Sequence, residues 1–191
     1  MDQLIQHIQG FLPISDESIT KFVGKFDTET VPKRTHLLQF DHYANAVYFT
    51  LSGVTRTYIT DREGVEHNVS FATENWWFGD LQSFIERKPA TFSIQALEET
   101  QVLTIRQEAW ETLIEEASEF LGYVGLLFRN SMFAQQNRIV QNLSFTAAER
   151  YQAFLEEYPT LSQRISQKHI ASYLGITPEF LSALRRNKRS S

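Results

Sequence analysis

Between His36 and Ile105 apolar and polar residues alternate in six short runs, and that period belongs to strands rather than helices. The runs are "THLLQF", "AVYFTLSG", "VTRTYIT", "VEHNVSF", "TFSIQAL" and "TQVLTI", with turn chemistry such as Ser52-Gly53 and "DREG" between them. Short strands at even spacing predict a small barrel or jelly roll. Helical period brackets this region: "DQLIQHIQGF" and "SDESITKFVGKF" precede it, the second with Ser15 as N-cap, and "QEAWETLIEEA" and a long stretch from Ser118 to Gln141 follow it. The expected class is therefore α+β. No repeat of solenoid length and no low-complexity segment interrupts the pattern.

Several functions are excluded early. The 191 residues include no cysteine, which removes disulfides, thiolate metal sites and a cysteine nucleophile. No apolar run is long enough to span a bilayer, and "MDQLIQHIQG" lacks the basic start and apolar stretch of a secretion signal, so a cytoplasmic protein that meets no membrane is expected. His36, His42, His67 and His169 are scattered, with no close pair and following glutamate of the kind a cupin-like metal site needs. No nucleophile–base pair or P-loop spacing is present either, so neither an enzyme nor a metal protein is expected.

Charge is distributed unevenly. From Leu161 onward six basic residues stand against Glu179 alone, a net of +5, which leaves −10 for the rest of a chain whose net charge is −5. A basic tail on an acidic body suits contact with a polyanion, although a solvated terminus would look the same. Spacing decides between them. Ser166 is a plausible N-cap, Ile170 and Leu174 fall on one helical face, Gly175 ends that helix, and Ile176 can fold back on it. Thr177 then caps a second helix that begins at Pro178 and turns Leu181 and Leu184 toward the first, while Ala171 lets the two approach.

Ile170, Ala171, Leu174, Gly175, Ile176, Leu181 and Leu184 resemble, in register, the bacterial helix-turn-helix. The second helix, Thr177 to Arg186, would then be the recognition helix on double-stranded DNA, with Glu179 at a cytosine amino group, Ser182 at a base or a phosphate, Arg185, Arg186, Lys188 and Arg189 at phosphates, and Lys168 and Thr177 also among the DNA-binding residues. Glu179 at the first turn equally suits the helix dipole. Upstream, Leu121, Phe128, Met132, Gln135 and Ile139 follow a coiled-coil seam, fitting a dimerisation helix or a core helix lying on the barrel. Thr146 and Glu149 form a capping box for a helix reaching Glu157, and Pro159 halts it.

The order of these parts is similar to that of a Crp/Fnr-family transcription regulator. Besides the tail, "FLPISDESITKFVGKF", "NAVYFTLSGVTRTYIT" and "WWFGDLQSFIERKPATFSIQALEETQVLTI" carry the likeness, which covers nearly the whole chain. It implies a double-stranded β-helix (jelly-roll) domain of the cyclic-nucleotide-binding type over residues 1–117, a dimerisation helix over 118–142 and a helix-turn-helix domain over 143–191. It also implies a homodimer that meets RNA polymerase and answers to a small-molecule effector. The pocket falls on Phe78, Gly79, Asp80, Leu81, Ala90 and Thr91. Gly79 would open a turn offering free N–H groups to an anion, and the resemblance gives Asp80 the ribose hydroxyl and Thr91 the phosphate.

This sequence departs from the family pattern in three places. Ala90 stands where a phosphate-binding arginine belongs, and the loss of that charge-assisted contact argues against cyclic AMP. Arg87 and Lys88 are near in sequence, but on a loop such residues are usually solvated. Trp76 and Trp77 suit either the core or a ligand platform. In the recognition helix Ala183 replaces the arginine that follows the serine, so a guanine contact is missing. No full β-hairpin wing is expected after Arg186. A domain of this kind that no longer reads DNA and serves protein contacts instead is the rival expectation.

Overall fold

The computed structural model describes the backbone of residues 1–189 and the side chains of residues 1–186. Two helices open the chain, α1 (Asp2–Gln9) and α2 (Asp16–Val23). Ser15 caps α2 as its sequence suggests, its side chain accepting from the Ser18 N–H. The strands are β1 (Asp27–Val31), β2 (His36–Leu38), β3 (Ala46–Ser52), β4 (Thr55–Thr60), β5 (Glu66–Ala72), β6 (Trp77–Phe78), β7 (Ser93–Ala96) and β8 (Thr100–Arg106), with helix α3 (Leu81–Glu86) between β6 and β7. They form two four-stranded sheets, ordered β1-β8-β3-β6 and β2-β7-β4-β5, which is the expected jelly roll. The crossing order brings the last strand, β8, between the first and third.

The central strand β3 is buried on both sides, and its pleat divides the core in two. Val47 and Phe49 join a large cluster with Leu4 and Ile8 of α1, Phe22 of α2, and Leu103 and Ile105 of β8. Ala46 and Tyr48 face the other way, into the roll, with Val102, Val31 and Ala96. The helices α4 (Gln107–Glu116) and α5 (Ser118–Ser144) supply Trp110, Leu113, Phe120 and Tyr123 to the larger cluster. At the first hairpin, Gly53 has φ +99°, and a Cβ there would stand 2.6 Å from the Thr100 Cα. Only glycine fits that crossing.

A polar chain runs through the larger cluster. The Trp77 indole N–H donates to the Tyr123 hydroxyl at 2.7 Å, and the Tyr123 hydroxyl lies 2.7 Å from Nδ1 of His7. With its oxygen occupied by the indole, the hydroxyl donates its hydrogen to a neutral imidazole. This arrangement ties α1 and β6 to α5.

The contacts divide the chain into two units: residues 1–57 with 71–131, and residues 58–70 with 132–191. In the second unit, α6 (Ala147–Glu157), α7 (Leu161–Arg164), α8 (Gln167–Leu174) and α9 (Pro178–Arg189) enclose Tyr151, Phe154, Tyr158, Leu161, Ile170, Ala171, Leu174 and Leu181. The capping box of Thr146 and Glu149 is present in both directions.

Burial holds the His7 imidazole below its ordinary pKa. A base depressed in the folded state binds fewer protons than in the unfolded chain, so its stabilisation is whole above the unfolded value near 6.5 and fades as pH falls through the lowered one. Thermal unfolding should therefore show a drop in midpoint between about pH 7 and pH 5 that His7→Gln flattens.

Candidate nucleotide pocket and nucleic-acid interface

Of the six pocket residues expected from sequence, Phe78 to Leu81 follow one another and Asp80 meets Thr91 across the loop. Phe78 ends β6 and stacks on Tyr48 with ring centroids 5.1 Å apart; Gly79 follows, and Asp80 caps α3, which starts at Leu81. Ala90 and Thr91 arrive from the segment before β7. What joins them is the Asp80 carboxylate, only 2 % exposed. One of its oxygens accepts from the Ser83 N–H at 3.0 Å, and the other accepts from the Thr91 N–H at 3.1 Å. The amides at the start of α3 and at Thr91, where an anion would be sought, already hold an anion belonging to the chain itself.

The surrounding loop is closed with equal care. Ser83 Oγ donates to the Lys88 carbonyl at 2.6 Å and accepts from the Ala44 N–H at 2.9 Å. Ala90 donates its N–H to the His42 carbonyl at 2.7 Å and is 2 % exposed, which leaves its side chain no path outward. Arg87 and Lys88 do not enter the pocket: they lie in solvent, 3.3 Å from Glu111 and 2.9 Å from Glu86. Trp77 belongs to the core through Phe26, Phe49 and Tyr123. Inside the roll, the space among Leu38, Ala46, Tyr48, Gly79, Asp80 and Ile94 is about 10 Å³, enough for a water molecule and far short of a nucleotide. A larger hollow of about 180 Å³ lies between α3 and α4, floored by Phe84 and Trp110, and its rim of Glu111 and Glu115 disfavours phosphate.

At the other candidate site, α8 and α9 meet through the glycine turn. Gly175 has φ +66°, its N–H donates to the Ser172 carbonyl, and the Ile176 N–H reaches back to the Ala171 carbonyl at 3.1 Å. That pair of bonds closes the helix as a Schellman motif. Arg150 of α6 also donates to the Leu174 carbonyl, satisfying another of the last acceptors. Ile170, Ala171, Leu174 and Leu181 are buried between the helices. Thr177 caps α9 by accepting from the Phe180 N–H at 3.2 Å.

The expected DNA-contacting residues separate into groups. Lys168, Thr177, Glu179 and Arg186 are exposed, whereas Ser182 and Arg185 are half-buried. The Ser182 hydroxyl donates to Gln167 of α8 at 2.9 Å, which pins the two helices together and occupies its hydrogen. The side chains of Lys188 and Arg189 lie outside the described residues. Phe180 was not anticipated, yet it stands 49 % exposed in the first turn of α9. Also unforeseen is the docking of residues 66–68 on α8, where Ser172 Oγ donates to the Glu66 carbonyl and accepts from the Asn68 N–H at 2.9 Å. Asn68 donates in turn to the His169 carbonyl, and the Arg138 guanidinium lies 4.0 Å over the Tyr173 ring. A polar residue in an alternating strand gives no sign of which helix it will meet.

Removing the Asp80 carboxylate orphans two amide N–H groups in a nearly closed loop. Asp80→Ala should lower stability by about 2–4 kcal/mol in urea unfolding. Calorimetry on the unaltered protein should register no binding of cyclic AMP or cyclic GMP.

Comparison with known proteins agrees with this architecture. The family model described as "Cyclic nucleotide-binding domain" matches residues 28–117. No curated protein matches the chain in sequence. Among solved structures, FixK2 from Bradyrhizobium japonicum superposes with a TM-score of 0.77 at 17 % identity, covering 86 % of this chain and 85 % of that one. The c-di-GMP responsive global regulator CLP of Xanthomonas campestris gives 0.72 at 15 % identity, covering 92 % of both chains. A putative transcriptional regulator of the Crp/Fnr family from Eubacterium rectale gives 0.71 at 18 % identity, covering 95 % of this chain and 88 % of that one. Residues 28–117 are thus similar to cyclic nucleotide-binding domains, and the chain as a whole shares its fold with FixK2, CLP and the Eubacterium rectale protein.

Proposed function

We propose that the chain is a dimeric DNA-binding transcription regulator of Crp/Fnr type, with residues 1–117 as the sensing β-roll, 118–142 as the dimerisation helix and 143–191 as the DNA-binding unit. The observation that carries this reading is the joint between α8 and α9. A left-handed glycine turn, a shared apolar seam and an exposed first turn on the second helix are what a helix needs to enter a major groove while the first crosses the backbone. Among the described residues, no three histidine, aspartate or glutamate side chains gather where a metal ion could sit, and no helix is long and apolar enough to cross a membrane.

The roll, on this reading, does not answer to cyclic AMP. Its anion cradle is filled by Asp80, its arginine place is a buried alanine, and its cavity holds about 10 Å³. An effector must be smaller than a nucleotide or must enter by repacking the loop from Gly79 to Thr91. By resemblance, RNA polymerase is the second macromolecular partner.

Dimerisation is supported by α5. Leu121, Phe128, Met132 and Ile139 are 53 %, 42 %, 53 % and 59 % exposed, and they follow the seven- and four-residue steps of a coiled-coil seam. Apolar residues repeated along one exposed helical stripe call for a partner, and a second copy supplies the same stripe. Ile139→Asp should convert the dimer to a monomer in sedimentation experiments without unfolding it.

DNA binding is tested by its salt dependence. Affinity for duplex should fall steeply as salt rises, with a log–log slope reporting several phosphate contacts. Replacing Arg185 and Arg186 by alanine should weaken binding about equally on every sequence and make the slope shallower by about one for each phosphate no longer neutralised. The alternative, a module that has ceased to bind DNA and meets protein, is favoured by Ala183 and would show flat salt dependence or no duplex binding at low salt.

A further inference from the structure

We infer that Phe180 and Ala183 form an apolar step on α9 that reads the 5-methyl group of a thymine. This rests on the DNA-binding reading and deepens it. Three observations meet here. Phe180 is 49 % exposed in the first turn of the recognition helix, next to exposed Thr177, Pro178 and Glu179. It is the N-terminal turn of such a helix that approaches base edges.

Ala183 lies three residues on, so its methyl group and the Phe180 ring are neighbours on one helical edge. In helical projection Leu181 and Leu184 point into the domain. Glu179, Ser182, Ala183 and Arg186, at steps of three, four and seven, lie on the opposite side, with Phe180 at its margin. The apolar edge therefore borders the face that a groove would receive.

Ser182 is the third observation. Its hydroxyl hydrogen is held by Gln167, so among the described residues the one neutral hydrogen-bonding side chain on this face is already committed within the domain. What α9 offers near its N-terminus is then an acceptor, Glu179, and an apolar edge. The major-groove edges that suit them are the cytosine amino group and the thymine methyl group, the latter being the contact that phenylalanine and alanine make. With no arginine at position 183, guanine loses its bidentate partner there. The half-site should accordingly carry thymine at the base step facing the Phe180–Ala183 edge.

Uracil tests this directly, since it differs from thymine only by that methyl. Duplexes preferred by the full-length protein are first selected from a random pool. Each dT of the half-site is then replaced singly by dU, and affinity is measured at fixed salt. At one position, the same in both half-sites, dU should weaken binding about fourfold, the worth of one buried methyl group. Phe180→Ala should bind dT and dU there equally. Because Phe180 is half in solvent, the variant should retain its helical circular dichroism, and the dU scan on the unaltered protein decides the matter even if it does not. Ala183→Arg should shift the preference at that position to guanine. Tight duplex binding with no dU-sensitive position would overturn this inference and leave the DNA-binding reading standing. Absence of duplex binding at low salt would overturn both.

Discussion

Strand β3 can be covered on both faces only if one face meets helices and the other meets the inside of the roll, and the rest of the first unit follows from that demand. Val47 and Phe49 draw α1, α2, α4 and α5 onto one side. Ala46 and Tyr48 fill the other, and the Tyr48–Phe78 stack brings β6 and the loop after it inward. The pocket loop is thus placed by packing of the central strands before any ligand chemistry enters. The same filling explains why the cavity is so small. Thr50 and Thr104, both buried in these strands, add β-branched side chains to the same tightly filled sheet.

Much of this was legible in the sequence, because most of the elements carry their own boundary chemistry. Ser15, Thr146 and Ser166 cap their helices, Gly175 ends α8 in the left-handed conformation, and Pro178 opens α9. The alternating runs became strands. The strand β1 was not legible, since "DTETV" is polar, pairs only with β8 and buries only its last residue. Nor was β6, whose two residues owe their extended form to pairing with Tyr48 and Phe49. Neither has a pattern of its own to read.

The candidate site shows the same division. Its six residues were named from sequence, and one contact, from the Thr91 N–H to Asp80, joins their two segments. The partner of Asp80 was another matter: an aspartate three residues before Ser83 is an ordinary N-cap signal, but the resemblance to ligand-binding relatives drew attention to a ribose instead. That Thr91 supplies the second amide depends on the loop from Arg87 to Ala90 folding back, which includes a left-handed Arg87 at φ 53°. Long-range closure of this kind leaves no periodicity behind. Phe180 was missed for a different reason, because an aromatic residue between helix caps reads as core until burial is known.

The loop that Asp80 holds shut follows directly on a strand that is tied to α5. Trp77 immediately precedes Phe78 in β6, and its indole N–H anchors the Tyr123 hydroxyl near the start of α5. The other side of that hydroxyl is held by His7 of α1, so three elements share one oxygen. A displaced indole must either carry Tyr123 along or release it. Releasing it buries an unpaired N–H at a cost of about 1–3 kcal/mol, comparable to the differential affinity that biases an ordinary two-state switch. Tyr123 lies near the start of α5, which runs unbroken from Ser118 to Ser144, so the shared oxygen fixes the first turns of that helix against α1 and β6.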